Sequence, residues 1–175
     1  MKYKQISISI LFIILTLISF GQQNYVLVIH GGAGVMQKSA MSDQRQAEYK
    51  AKLEEALQVG ENLLKNGATS TDAVVEVIKI LENSPLFNAG KGAVFTSSGE
   101  NELDASIMEG KNLNAGAIAG VKDIKNPITA ARAVMENSDH VLLSGKGASE
   151  FAREQKLEIV KNKYFFTPSR YESLK

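Results

Sequence analysis

The sequence predicts an α/β domain. A continuous apolar run at residues 25–29 has the length and composition of a strand buried on both faces. Two longer segments after it repeat their apolar residues every three or four positions, the period of a helix with one buried stripe. Beyond residue 100 the pattern reads strand, strand, helix, strand, helix. This order lacks the strict alternation of a doubly wound parallel sheet, yet both sheet faces need cover.

The chain has 175 residues, and the first 21 read as a secretory signal rather than as part of the fold. Lys2 and Lys4 precede an uncharged run at residues 6–20, and Ser19 and Gly21 stand at the −3 and −1 positions of a cleavage after Gly21. A helix over that run spans roughly 22 Å, short of the ~30 Å hydrocarbon core. An uncleaved anchor is the alternative. The absence of cysteine excludes disulfides and a lipid on an N-terminal Cys, which suits a periplasmic or secreted protein. The remaining 154 residues suffice for one domain with a sizeable core. Without Lys2 and Lys4, 18 basic residues face 19 acidic ones, and no charge block exceeds three residues. Neither nucleic acid nor an anionic membrane surface is indicated as a partner. With two histidines and no cysteine, a transition-metal site is a poor fit.

The apolar run ends in His30, Gly31, Gly32, Ala33 and Gly34, where a backbone or a ligand can approach closely. A polar link leads to a helix from about residue 43 to 66, with Leu53, Ala56, Leu57, Leu63 and Leu64 inward and Asn66–Gly67 as its stop. A second helix starts near Thr71, where Thr69 and Asp72 have capping-box spacing, and buries Ala73, Val74, Val77, Ile78 and Leu81. Pro85 breaks it. The chain then passes through Asn88, Ala89, Gly90, Lys91 and Gly92 and leaves as an alternating strand. Carbonyl oxygens exposed at such a helix end need water, a side chain or a cation as partner.

Residues 102–108 alternate as a strand, 109–112 form a turn, and 113–121 form a second strand rich in small residues, together a hairpin. Asn126 as cap and Pro127 at the first helical position start a helix to about Asn137, with Ile128, Ala131, Val134 and Met135 inward. Residues 140–143 are a short strand, and Ser144 opens a last helix to about Gln155. From residue 158 onward the pattern thins to isolated apolar residues.

The glycine run fails three comparisons. It does not lead straight into a helix as a dinucleotide fingerprint does, no nucleophile elbow accompanies it as in HGGG-type esterases, and no phosphate-binding P-loop is present. It remains either a ligand-binding loop at a strand end or a plain tight turn. His140 reads as a surface residue. Glu82, Glu100, Asp104 and Glu109 lie near the glycine loops, and Asp104 reads as a structural, hydrogen-bonded carboxylate.

Six stretches in register carry a resemblance: residues 28–34, 67–74, 85–95, 102–108, 115–121 and 126–135. Together they resemble the plant-type L-asparaginases, or isoaspartyl peptidases, of the N-terminal nucleophile hydrolases. The resemblance implies one half of a four-layer αββα sandwich, made as a precursor that cuts itself into an α and a β chain. The newly exposed Thr of the β chain attacks a side-chain amide or isopeptide carbonyl, and its own amine serves as the base. Substrates would be L-asparagine and β-aspartyl dipeptides. Residues 22–166 correspond to the α-chain domain and 167–175 to the start of the linker before a β chain. The Thr-Val-Gly start of the β chain does not occur here, so this polypeptide alone is expected to be inactive. His30, Gly31 and Gly32 resemble the segment beside the nucleophile's amine, and Asn88 the residue hydrogen-bonded near it. The bend resembles a sodium site whose ligands are the carbonyls of Leu81, Glu82, Ser84, Phe87, Ala89 and Lys91. The implied partners are a β chain and an (αβ)2 assembly, and no organic cofactor is implied. A catalytically inactive exported binding module is the other reading. Sheet edges stripped of a β chain would make the isolated chain poorly soluble.

Overall fold

A computed structural model describes residues 25–32 and 41–175. The expected signal segment, and Ala33 and Gly34 of the glycine run, lie outside the described residues.

Helix α1 (Asp43–Lys65) begins where the Arg45 N–H donates to Ser42 Oγ at 3.2 Å, and it stops before Gly67, at φ 82°. Helix α2 (Ser70–Glu82) has the capping box its spacing predicts. The Asp72 N–H donates to Thr69 Oγ1 at 3.1 Å, and the Thr69 N–H donates to Asp72 Oδ2 at 3.3 Å.

Helix α2 is covered on two flanks. Val77 and Leu81 meet Ala56 of α1, while Val75 joins Ile107, Ile128 and Ala131 on the other side. This changes the expected stripe: Val75 is buried and Val74 is 37% exposed. A helix wedged between two partners has a wider apolar arc than a single stripe allows. Leu57 of α1, expected inward, is likewise at the surface.

Residues 25–29 run extended, but they form no strand and are not buried on both faces. Leu27 and Ile29 pack against the cluster around Ala56, and Leu27 nests at Gly60, where a Cβ would stand 2.6 Å from its Cδ2. Val26 and Val28 point the other way and are 88% and 82% exposed. Nothing among the described residues covers that outer face.

The sheet has three strands in the order β1 (Leu103–Met108), β2 (Ala115–Val121), β3 (Leu142–Ser144). β1 and β2 form the expected antiparallel hairpin, with an irregularity between Leu103 and Ala105, and β3 lies parallel to β2. Helices α3 (Pro127–Asn137) and α4 (Gly145–Glu154) pack on the sheet. The approach of α3 is close: a Cβ on Gly116 would lie 2.2 Å from the Ala131 carbonyl oxygen. The opposite face, including Asp104, Ser106, Met108 and Leu142, is exposed.

The C-terminal stretch is more ordered than its thin pattern suggests. Phe165, in a 3-10 turn at Asn162–Phe165, is completely buried beside Ile118, Val121 and Ile124. Asn162 stitches three strands of chain: its Nδ2 donates to the carbonyls of Asn101 (2.8 Å) and Lys122 (2.9 Å), and its Oδ1 accepts the Asn101 N–H at 3.2 Å. A short helix, α5 (Pro168–Glu172), follows over the first part of the stretch read as a linker. No helix of the described residues is long and apolar enough to cross a membrane.

Candidate functional site

After α2 the chain makes the predicted irregular bend. Tyr49 Oη donates to the Leu86 carbonyl at 2.7 Å, and its ring meets Phe87 edge to face at 5.5 Å. The Leu86 N–H donates to Ser84 Oγ at 3.3 Å. A 3-10 turn, Gly90–Gly92, then presses against the preceding chain. A Cβ on Gly90 would sit 2.3 Å from the Glu82 carbonyl oxygen, and one on Gly92 would sit 2.0 Å from that of Phe87. Only glycine permits this approach. Instead of continuing as an alternating strand, the chain makes a single bridge, Phe95 to Asn101, around the turn at residues 97–99. The buried Asn101 closes that turn by donating to the Ala93 and Val94 carbonyls.

Of the six carbonyls assigned by resemblance to a cation, those of Leu81 and Ala89 accept the N–H groups of Ser84 (3.1 Å) and Gly92 (3.0 Å). Those of Glu82, Ser84, Phe87 and Lys91 accept no hydrogen bond among the described residues. Carbonyl oxygens without donors, in a bend that is mostly buried, are a donor set that fits a hard cation. The Lys91 ammonium turns toward the Tyr164 ring, 5.4 Å from its centroid, so its charge is held by an aromatic face.

The bend and the glycine run, 50 residues apart in sequence, meet in one groove of about 740 Å³. His30, Gly31, Gly32, Tyr49, Phe87, Asn88, Val94 and Arg170 are among its walls. His30 Nδ1 accepts the Gly32 N–H at 3.2 Å, so a neutral imidazole carries its proton on Nε2. Gly32 sits at φ 109°, where a side chain would be strained. Asn88 Oδ1 accepts the Val94 N–H at 2.9 Å, which fixes the amide while its Nδ2 stays available. The described residues of the walls include no Ser, Thr, Cys, Asp, Glu or Lys. Among the described residues, then, the groove has donors and apolar surface but no nucleophile.

The acidic residues singled out near the glycine loops do not act as a pair. Asp104 accepts the Gly120 N–H at 2.7 Å, the structural role expected of it, and Glu100 meets Lys122 at 2.7 Å. Glu82 is buried, 3% exposed, and accepts from Asn126 Nδ2 at 3.1 Å and from the Ile128 N–H at 3.0 Å. Burial pushes its carboxyl up to about 7, and the two hydrogen bonds and Lys79 pull in the other direction. Asn126 therefore differs from its expected role. It stands at the N-cap position of α3 without capping through its side chain, and Glu82 satisfies the first turn of that helix from outside.

Arg170 was not singled out in the sequence, yet it lines the groove and its Nε donates to the Gly92 carbonyl at 2.8 Å. The signal available was Thr167 followed by Pro168, a helix start within a stretch that otherwise lacks a period.

With this arrangement the chain falls in the class of mixed α/β proteins that carry a glycine-lipped groove. The asparaginase family matches residues 23–175, and the chain belongs to that family. Over 149 residues, 85% of this chain and 43% of the other, it is 55% identical to a Dictyostelium discoideum protein whose name assigns it provisionally to isoaspartyl peptidase/L-asparaginase. It is 46% identical over 149 residues to an isoaspartyl peptidase of Salmonella typhimurium, covering 85% of this chain and 48% of that one. A plant-type L-asparaginase of Pyrococcus furiosus is 50% identical over 127 residues, 73% of this chain and 40% of its own. The chain thus spans less than half the length of each of these relatives.

Proposed function

We propose that the chain is the α part of an amidohydrolase that acts on L-asparagine and β-aspartyl dipeptides. One observation carries this reading: the glycine run and the Asn88 bend converge on a groove that, among the described residues, has hydrogen-bond donors but no nucleophile. A Thr at the start of a companion β chain would enter there, its free amine acting as base and its hydroxyl attacking the amide carbon. The carbonyl oxygen then becomes an oxyanion, which fixed donors stabilise, before water releases the product acid. His30, Gly31 and Gly32 would hold the amine end of the nucleophile, and Asn88 Nδ2 would hydrogen-bond beside it.

The bare outer side of Val26 and Val28 and the exposed face of β1–β3 support a companion sheet. With that sheet the layers would be αββα, and two such pairs would form (αβ)2. By itself the chain would be inactive. The signal-like residues 1–21 support export to the periplasm or beyond.

The bend would hold a sodium ion on the carbonyls of Leu81, Glu82, Ser84, Phe87, Ala89 and Lys91, bracing the groove wall. At constant ionic strength, replacing choline by sodium should raise the melting temperature by a few degrees, since a ligand bound only by the folded state stabilises it. Gly92→Ala should remove the sodium effect.

The function is tested by measuring ammonia release from asparagine, first by this chain alone and then by the product of the reading frame continued past Lys175. Release only by the longer product, with a new N-terminal Thr found by sequencing, is the expected result. Turnover by the chain alone would overturn the proposal.

A further inference from the structure

The chain has four arginines, and three of them meet a carboxylate: Arg45 pairs with Glu48, Arg132 with Asp72 and Glu136, and Arg153 with Asp123. Arg170 is different. It is half-buried on the groove wall, and its one hydrogen bond runs from Nε to the Gly92 carbonyl. All 19 acidic residues of the sequence lie among the described residues, and none pairs with it. The groove walls contain no acidic residue either. A guanidinium is charged at every accessible pH and presents five N–H donors, four of them here without a partner among the described residues.

Arg170 is also held in place. The Gly92 carbonyl that it grips belongs to the turn packed onto Phe87. Its neighbours Phe166 and Tyr171 meet Phe95 edge to face at 5.7 and 5.6 Å, and each other at 5.4 Å. A positive charge fixed in a groove, partly desolvated and lacking a counter-ion, is costly unless an anion arrives from outside.

We propose that Arg170 is the receptor for a carboxylate carried by the polypeptide that covers the groove. The inference rests on the two-part reading above and adds the chemistry of the contact. The occupant is an acidic side chain of an extended segment: the wall offers Ile78, Leu86, Phe87 and Val94 along its length, and the volume far exceeds that of one small amide. A planar guanidinium and a carboxylate pair through two parallel hydrogen bonds, which sets the register of that segment.

The test uses the complete gene product, expressed with the sequence that follows Lys175. Arg170→Gln removes the charge yet keeps an N–H for the Gly92 carbonyl, and Arg170→Lys keeps the charge without the fork. Association of the two parts is followed from about 0.05 to 0.5 M salt, a range over which screening changes strongly. In the wild type, association should weaken as salt rises. Arg170→Gln should weaken it about tenfold at low salt and flatten the salt dependence, while Arg170→Lys restores the salt slope and part of the affinity.

Equal association of wild type and Arg170→Gln at every salt concentration would overturn the carboxylate contact and leave the two-part reading intact. A wild-type product whose parts never form or never associate would defeat the two-part reading itself. A raised KM for asparagine with unchanged association would place the carboxylate on the substrate instead, which also overturns the proposal.

Discussion

Glu82 shows how one side chain can serve two neighbouring tasks. Its backbone closes α2 at the bend, and its carboxylate reaches across to the first turn of α3. Truncation would strand the Ile128 N–H in the interior beside a small void, while the Asn126 amide would keep only its bond to Asn83 Oδ1 at 3.1 Å. Each unpaired buried polar group costs about 1–3 kcal/mol. Glu82→Ala should therefore lose about 2–4 kcal/mol of stability in urea unfolding. Nothing in the local sequence announces this role, because a glutamate near a helix end is usually solvated, and its partners lie 44 and 46 residues away. Asp104 was readable for the opposite reason. An acidic residue on an alternating strand beside a glycine-rich strand finds a backbone N–H close at hand, here that of Gly120.

At the scale of elements, the hydrophobic period and the caps carried most of the assignment. The stop of α1 and the start of α2 follow from Gly67, Thr69 and Asp72, each acting within a few residues of the helix end it sets, while the Ser42 cap of α1 was not read from the sequence. What lay beyond reach was how many flanks of α2 would be covered, since that depends on α3 arriving from more than 40 residues away.

Asp72 belongs to both the cap and the inter-helix contact: Thr69 and then Arg132 hold its carboxyl below the usual aspartate range. Its contribution to stability is present above the unfolded value of about 3.9 and fades as pH falls through the lower folded value. Asp72→Asn should flatten that acid limb when unfolding midpoints are measured against pH. Gly116 sets the seat of α3. Because an added Cβ would meet backbone rather than a yielding side chain, Gly116→Ala should cost about 1–3 kcal/mol or more by thermal melting.

At the scale of the molecule, the described residues have a well-filled side and a bare side. Ile118, Val121, Ile124 and Val134 are buried under α3 and α4, while Val26 and Val28 face outward from a segment without a strand partner. Residues 25–29 read as a fully buried strand because all five are apolar, whereas among the described residues only Leu27 and Ile29 have a packed neighbour. Replacing Val26 and Val28 with Thr should change stability by no more than about 0.5 kcal/mol, as expected for surface positions. It should also reduce self-association in sedimentation experiments, because exposed extended apolar chain templates pairing.

The stitch made by Asn162 has a consequence for the newborn protein. Residues 101 and 122 are synthesised 61 and 40 residues before the amide that joins them. Until then the hairpin has no fastening along that seam, and its closure waits on a loop of some 61 residues. This part of the fold therefore locks only once residue 162 is in place, and a chain stalled short of it would stay unlatched and exposed to chaperones and proteases.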